Sequence, residues 1–330
     1  MKSKVYFEKK LNYLYKSTYL SLKGFYPKDS KVLVKLHFGE PGNKTAFVPK
    51  DIEPVIRAMK DLGLKPILID TPVAYNSPRG SVEGYEKVVR EKGYDKLAKF
   101  IISDEGKSVK VKDFTAEVCK PLAEAENVLV LSHVKGHVCA GFGGAIKNLG
   151  MGGNTKKSKK LQHTLCKPKF VKDCQGCGTC ARLCPFGAIE MVNGKAKIDL
   201  DVCSGCSICE INCSFGCLAP EVALFDDLLA QAASALINNF SEKTFYINII
   251  KNVSVRCDCH TDGGEIISPD IGILFSENPV AIDKASIDLV KKSNNGEDVF
   301  EENNNKDPML QVNYTTDYTD WKKDYELEEL

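Results

Sequence analysis

Net charge is what this chain most lacks: 45 lysines and arginines against 44 aspartates and glutamates leave +1 over 330 residues. So even a balance gives no global case for nucleic acid or an acidic partner, and no basic recognition helix interrupts it. Long apolar runs are also missing. The best candidate, Val222 to Phe240, is broken by Asp226, Asp227 and Gln231, which predicts a buried helix rather than a membrane span. The opening MKSKVYFEKKLNYLYK has no apolar stretch followed by a small-residue cleavage site. No nicotinamide, flavin or P-loop fingerprint occurs in the Gly-rich segment that would be its natural home. These absences set the expectation of a cytoplasmic protein that binds neither membrane nor nucleic acid.

Cysteine is abundant, at 14 residues, and most of it falls between Cys166 and Cys217. Disulfide-rich secreted proteins are short and loop-rich, so a reducing cytoplasm is expected, in an anaerobe or microaerophile. Cys174, Cys177, Cys180 and Cys184 follow C-x2-C-x2-C-x3-C, with Pro185 next, and Cys203, Cys206, Cys209 and Cys213 repeat the pattern 29 positions later. A cubane needs four thiolates around a tight loop. Three come from one run, and in two-cluster ferredoxins the fourth comes from the other. The spacing therefore predicts two 4Fe–4S clusters, one on Cys174, Cys177, Cys180 and Cys213, the other on Cys203, Cys206, Cys209 and Cys184. A pair of zinc ribbons would need two thiolates per knuckle rather than three plus one. Cys217 stands where the first half has Ala188 and reads as a packing or spare thiol.

Around this module the pattern is α/β. KVLVKLHF from Lys31, KPILID from Lys65 and NVLVLS from Asn127 are apolar runs of strand length. A helix from Asp51, with Pro54 in its first turn, separates the first two, and another is expected near Ser81 to Tyr94. After the module come a helix from about Glu221 to Phe240, strands TFYINII and IGILF, and a helix capped by Asn278 and Pro279. Buried strands separated by helices predict a mostly parallel sheet covered on both faces, with an α+β ferredoxin-like insert. The expected domains are 1–165 and 220–330 for the two parts of the α/β unit and 166–219 for the insert. IEMVNGKAKID within it reads as a hairpin turning at Asn193-Gly194. Residues 292–308, polar and Asn-rich, are expected to be a mobile loop, and DYELEEL at the end could dock as a strand.

Chemistry is expected where strands end, because open α/β sheets collect ligands there. His37 ends one strand, and SHVKGH places His133, Lys135 and His137 at the end of another. Asp70, Thr71, Tyr75 and Arg79 follow a third. His133, Lys135, His137 and Arg79 are the candidates for proton donation or anion binding, against the bland alternative of hydrogen-bonded loop residues. GFGGAIKNLGMGG has six glycines in thirteen positions. Gly141, Gly143, Gly144, Lys147 and Asn148 could cradle an anion or cofactor, or the glycines could serve packing alone. In RCDCHTDGG, Cys257, Cys259 and His260 could hold a third metal or a small cofactor, or form an inert buried turn. Lys156, Lys157, Lys159 and Lys160 read as a solvated face or a dock for an acidic electron-transfer partner.

KLHFGE, TPVAYNSPRG, HVCAGFGGAIKNLGMG, the CDCH–PDIGIL stretch and NPVAID together resemble one prokaryotic family across essentially the whole chain. It is the uncharacterised iron–sulfur centre protein group, built on domain of unknown function 362 with an inserted two-cluster ferredoxin module. The resemblance implies an α/β domain with two 4Fe–4S clusters and sets His133, Lys135, His137, Lys147, Asn148 and Asp283 in family motifs. It implies no reaction. Ser214 departs from the proline that often follows the fourth cysteine. The leading expectation is an iron–sulfur oxidoreductase that exchanges electrons with a ferredoxin or flavoprotein and with an unknown small-molecule substrate in the α/β pocket. The alternative is a non-enzymatic electron carrier or a metal or cofactor assembly factor.

Overall fold

The computed structural model describes residues 2–240 and 243–330. Its centre is one eight-stranded sheet of β1 (Ser3–Glu8), β2 (Lys31–Lys35), β3 (Lys65–Asp70), β4 (Lys99–Ile102), β5 (Val128–His133), β6 (Thr244–Ile250), β7 (Gly272–Ser276) and β8 (Tyr325–Glu329). The spatial order is β8-β1-β7-β6-β5-β2-β3-β4. β6, β5, β2, β3 and β4 are parallel to one another. β7 runs antiparallel to both β6 and β1, and β8 is parallel to β1. The closing acidic segment thus does dock as an edge strand, where alternating Glu residues blunt a surface open to further pairing.

Strand alternation sends successive side chains to opposite faces, and two separate cores result. Val32, Val34, Leu129 and Leu131 pack with the helices Leu14–Leu22, Pro49–Asp61 and Val82–Glu91. Leu33, Val128 and Val130 face the other way, toward Ala145–Gly150, Phe225–Ile237 and Pro279–Ser293. The sheet is mixed but mostly parallel and is covered by helices on both faces. Among the described residues no helix is long and apolar enough to cross a membrane. The expected helix over Val222–Phe240 forms as Phe225–Ile237, buried along its whole length.

The cysteine-rich segment leaves the sheet through a short antiparallel neck in which Pro168–Phe170 pairs with Leu218–Pro220. Its halves are joined by the hairpin Ile189–Val192/Lys195–Ile198, turning at Asn193-Gly194 with positive φ at both, as the sequence pattern indicates. One expectation is overturned. Residues 292–308 are not a mobile loop: the helix Pro279–Ser293 runs into them, and Val299–Asn304 forms a further helix capped by Asp298. Their asparagines bond back to helix carbonyls, Asn303 to Val299 O at 2.8 Å and Asn304 to Phe300 O at 3.0 Å. Val299 and Phe300 meanwhile fill the core. Polar composition there serves helix termini rather than mobility.

Candidate functional site

β2 leads to β3 on one side, while β5 lies on the other, so the sheet reverses its winding between β2 and β5. That is where open α/β sheets form a crevice. A cavity of about 120 Å³ opens there, bordered by His37 after β2, Asp70 at the end of β3 and His133 at the end of β5. Lys135, His137, Lys147 and Asn148 also line it, together with Gly143, Gly144, Arg79, Cys257 and Cys259. Most of the residues that the sequence singled out for chemistry therefore meet in one place. Gly141 is an exception and packs against the Lys306 and Pro308 backbone. His260 stands outside the lining, holding Asn43 through its carbonyl at 2.8 Å.

Two glycines make this convergence sterically possible. A Cβ on Gly136 would sit 2.3 Å from the Val255 carbonyl oxygen, so its absence lets the hairpin Lys135–His137/Gly141–Gly143 press against the segment that carries Cys257. A Cβ on Gly144 would sit 2.4 Å from Asp283 Oδ1. Asp283 instead caps the helix Ala145–Gly150, accepting from the N–H groups of Ala145 at 2.7 Å and Ile146 at 2.8 Å. Burial still raises the Asp283 pKa to about 6. Gly144 thus serves helix packing, and Lys147, one turn along, projects into the cavity.

The charged groups are largely paired. Asp258 binds His133 Nδ1 at 3.0 Å and Lys135 Nζ at 3.1 Å. Burial opposes its charge, but His133 and Lys135 outweigh burial and hold the carboxyl well below its usual range. His133 Nε2 donates to the Lys251 carbonyl at 2.6 Å, and the ring stacks on Phe47 at 4.3 Å between centroids. With both nitrogens facing oxygens, His133 is a brace for Asp258 rather than a free base. Arg79 is likewise committed: Nε and Nη2 donate to Glu40 Oε2 at 2.8 and 2.5 Å, and Tyr75 and Tyr85 take further bonds. Lys35 pairs with Asp70 at 2.9 Å and donates to Asn148 Oδ1 at 2.6 Å.

Lys147 and Lys159 differ from these. Lys147 Nζ donates to Cys257 Sγ at 3.4 Å. Burial works against its ammonium, yet Cys257, Cys259 and Asp258 leave its pKa raised. The hydrogen bond from Cys259, and then the Lys147 charge, hold the Cys257 thiol well below its usual range against the effect of burial. Lys159 donates to Thr71 Oγ1 at 2.5 Å and to the carbonyls of Thr71 and Pro72 at 3.3 and 2.6 Å, all neutral oxygens. Burial pushes it down to about 7. The lysine run is therefore not a uniformly solvated face. It forms the helix Lys156–Leu165, whose period of 3.6 turns Lys159 inward while Lys157 stays on the surface with Glu117. His163 lies on the same helix and also lines the cavity.

The eight repeated cysteines form two cages. Cys174, Cys177, Cys180 and Cys213 line one small void and Cys184, Cys203, Cys206 and Cys209 the other, so each run lends its last cysteine to its neighbour. Backbone N–H groups donate to Sγ of Cys174, Cys184, Cys203 and Cys213 at 3.3 to 3.4 Å. The first, outer cage is open to solvent at Cys177, whose pKa the Thr179 backbone and hydroxyl lower. The second, inner cage buries Cys206 and Cys209, and burial drives both thiols up. Cys217 borders the outer void as well, with its N–H on Cys213 Sγ at 3.3 Å and its own Sγ donating to Asp173 O at 3.2 Å. The inner cage abuts the cavity wall: His163 Nδ1 donates to Ser204 O at 2.8 Å, and Phe225 N donates to Ser207 Oγ at 3.0 Å. Both His163 and Phe225 line the cavity.

A third cluster of potential ligands is His137, Cys257 and Cys259, with ligand atoms within 4.8 Å of one another. His137 takes the place the sequence offered to His260. The many cysteines and this group suggest metal binding, and the cysteine-rich region is compatible with iron–sulfur binding. Sequence reasoning missed Asp258, Glu40 and Lys306 as site residues and the inward turn of Lys159. Asp258 had a signal, being flanked by the two cysteines of the CDCH motif. Lys306 had none, because its partners lie far away in sequence: it pairs with Asp226 and donates to the carbonyls of Cys139 and Cys206 at 2.6 and 2.7 Å.

Residues 32–288 match the family described as Domain of unknown function (DUF362). No curated protein matches the chain. Among solved structures, the lactate racemase apoprotein from Thermoanaerobacterium thermosaccharolyticum aligns at 12% identity and a TM-score of 0.38, over 75% of this chain and 50% of that one. A protein from Thermotoga maritima aligns at 8% identity and a TM-score of 0.41, over 73% of this chain and 50% of that one. The chain spans about half the length of these two structures.

Proposed function

The chain belongs to the DUF362 family, and from that premise we propose that it is a two-cluster iron–sulfur oxidoreductase acting on a small anionic molecule in the β2–β5 cavity. The residues of both cages fit such groups. Each offers four thiols, three from a tight loop and one from the other run, with N–H donors turned to several of the sulfurs. A single zinc ion would draw its sulfurs to roughly 3.8 Å apart, from Zn–S bonds of about 2.3 Å in a tetrahedron. Among the described residues neither quartet brings three ligand atoms within 4.8 Å of one another, whereas His137, Cys257 and Cys259 are that close. Wider cages support a multi-iron group. Bound there, such a group supplies single-electron transfer.

The observation that carries the proposal is the shared wall between inner cage and cavity. His163 uses Nδ1–H on the cage loop at Ser204 and is at the same time part of the cavity lining. Lys159, with neutral oxygen partners, and Lys147, beside a thiol, supply positive charge that a carboxylate or phosphate would meet. Lys135, His133 and Arg79 keep Asp258 and Glu40 in place, so the cavity holds its shape before a ligand arrives. The outer cage faces solvent, the position a ferredoxin or flavoprotein would need to reach.

Anaerobic protein tests this. It is expected to carry about eight iron and eight labile sulfides, to show a paramagnetic signal on reduction, and to be reoxidised faster by small anionic acceptors than by neutral ones of equal potential. Replacing His163 with Leu should slow reoxidation by the anion while leaving iron content unchanged. Tetrahedral zinc in place of iron, or reoxidation indifferent to the cavity, would refute the proposal. The assembly-factor reading is favoured by one observation, the tight His137–Cys257–Cys259 group. It requires transfer of a metal ion from that group to a second protein, with no oxidation or reduction of a small molecule in the cavity.

A further inference from the structure

Cys257 and Cys259 lie two residues apart in a turn closed by the hydrogen bond from His260 N to Cys257 O at 3.0 Å. A set of sulfurs and one imidazole this close could hold an ion, or the two sulfurs could join as a disulfide. The His137 ring separates these uses. Its Nδ1 accepts from the backbone N–H groups of Cys139 and Ala140, both at 3.1 Å. A nitrogen that accepts carries no proton, so the neutral ring bears its proton on Nε2. Metal-bound histidines show the opposite arrangement, in which the distal nitrogen donates to a carboxylate or carbonyl. An ion at His137 Nε2 would demand an imidazolate. Nε2–H faces Cys259 Sγ instead, at 3.9 Å, where it can serve a thiolate.

The other features belong to thiol chemistry. Lys147 Nζ and the Cys259 N–H each stand 3.4 Å from Cys257 Sγ and favour its thiolate. Both sulfurs border the cavity. Residues two apart in a turn fall within the roughly 4.4–6.8 Å Cα spacing a disulfide accepts. We propose that Cys257 and Cys259 are a redox-active dithiol whose substrate is a small disulfide bearing carboxylate or similar anionic groups. This rests on the reading of the cavity as the substrate site.

The Cys257 thiolate attacks one substrate sulfur, forming a mixed disulfide and releasing the first product thiolate. The Cys259 thiolate then attacks the Cys257 sulfur, closing the Cys257–Cys259 disulfide and releasing the second. The two protons lost by the cysteines end on the two product thiols, with Lys147 and the His137 Nε2–H alongside to stabilise the thiolates. One substrate disulfide is broken and one protein disulfide made. Return to the dithiol consumes two electrons and two protons, for which a single-electron donor acting twice is the co-reactant.

The test uses whole anaerobic protein, reduced and freed of reductant, mixed with dithiodiglycolate, a dicarboxylate disulfide, or with neutral hydroxyethyl disulfide. Alkylation and peptide mass mapping should show the peptide carrying Cys257 and Cys259 lighter by about 2 Da, with about two thiols released per chain. The anionic probe should react at least about tenfold faster, given the cationic lining. Cys259→Ser should stop at the mixed disulfide on Cys257. Two freely alkylated thiols after probe treatment of wild-type protein would overturn the proposal. So would one equivalent of a non-iron metal that is lost in Cys257→Ala. The electron-relay reading fails separately: the disulfide forms, but viologen-reduced wild-type protein restores the dithiol no faster than Cys206→Ser.

Discussion

The two cysteine cages derive from one repeated loop and have come to occupy different environments. In the outer loop the residue after Cys177 is Gly178, at φ 71°, with nothing within 4 Å of where a Cβ would stand. In the inner loop the equivalent residue is Ser207, at φ 63°, fully buried. A serine in the left-handed region is strained, and the compensation is visible: its Oγ accepts the Phe225 N–H at 3.0 Å at the start of a buried helix. Lys306 adds a second anchor through the Cys206 carbonyl. Among the described residues the outer cage has no buried tie of this kind; beside Cys213, Asn212 donates to Asn305 O at 3.2 Å on the exposed surface. The copy that carries a serine hydrogen-bonded to the host domain where the other carries a glycine is the one that abuts the cavity wall.

The largest effect that could break this comparison is loss of a whole cage. Cys177→Ser and Cys206→Ser should each remove about half of roughly eight iron atoms, while Cys217→Ser should remove none. Iron and labile-sulfide assays check this. Only the Cys206 variant should also alter the reaction in the cavity. Equal damage to that reaction from both would mean that the inner cage has no privileged position.

Next in size is Lys306→Met. Breaking a buried ion pair and leaving Asp226 uncompensated costs about 3–5 kcal/mol, readable by anaerobic denaturant titration. Burial already pushes the Asp226 pKa upward despite Lys306, so part of the cost will be relieved by proton uptake. Iron in the inner cage should become accessible to chelator in this variant. Unchanged stability would show that the anchor is ornamental. Ser207→Ala is smaller: it leaves the buried Phe225 N–H without its acceptor, a loss of about 1–3 kcal/mol. Gly178→Ala in the outer loop should cost about 1–2 kcal/mol from backbone strain alone and leave the inner iron untouched.

The sequence carried the sheet and the grouping of the eight cysteines around two voids because both follow from local pattern: apolar runs ending at His37, Asp70 and His133 in one case, cysteine spacing in the other. It also brought His133, Lys135, His137, Lys147 and Cys257 to candidacy, and they do share one cavity. What it could not carry was who holds whom. Arg79 was a candidate for proton donation or anion binding, yet Glu40, 39 residues away in sequence, takes its guanidinium. Lys306 sits in an Asn-rich stretch whose composition resembles a loop, and its burial depends on Asp226 and Cys206, whose distance along the chain leaves no periodic trace. Lys159 was hidden by its neighbours, because a run of lysines conceals which one a helical turn points inward.

That lysine offers the finest division between the two cages. With its pKa held at about 7 by burial, Lys159 is partly neutral in the ligand-free protein near neutrality. An anion beside it would raise that value, so binding should take up a proton. The sign follows: affinity is greatest below about pH 7 and falls above it, by up to about tenfold per pH unit, or about 1.4 kcal/mol. The fall ends where the raised, ligand-bound value is reached. Calorimetry of an anionic disulfide or carboxylate in buffers of different ionisation heat would read the proton directly, and Lys159→Met should flatten the slope. The helix that carries Lys159 also carries His163, which touches the inner cage loop and not the outer one. The same anion should therefore perturb the spectrum of the inner iron alone. Equal perturbation of both would mean that the signal travels through the protein's net charge rather than through this wall.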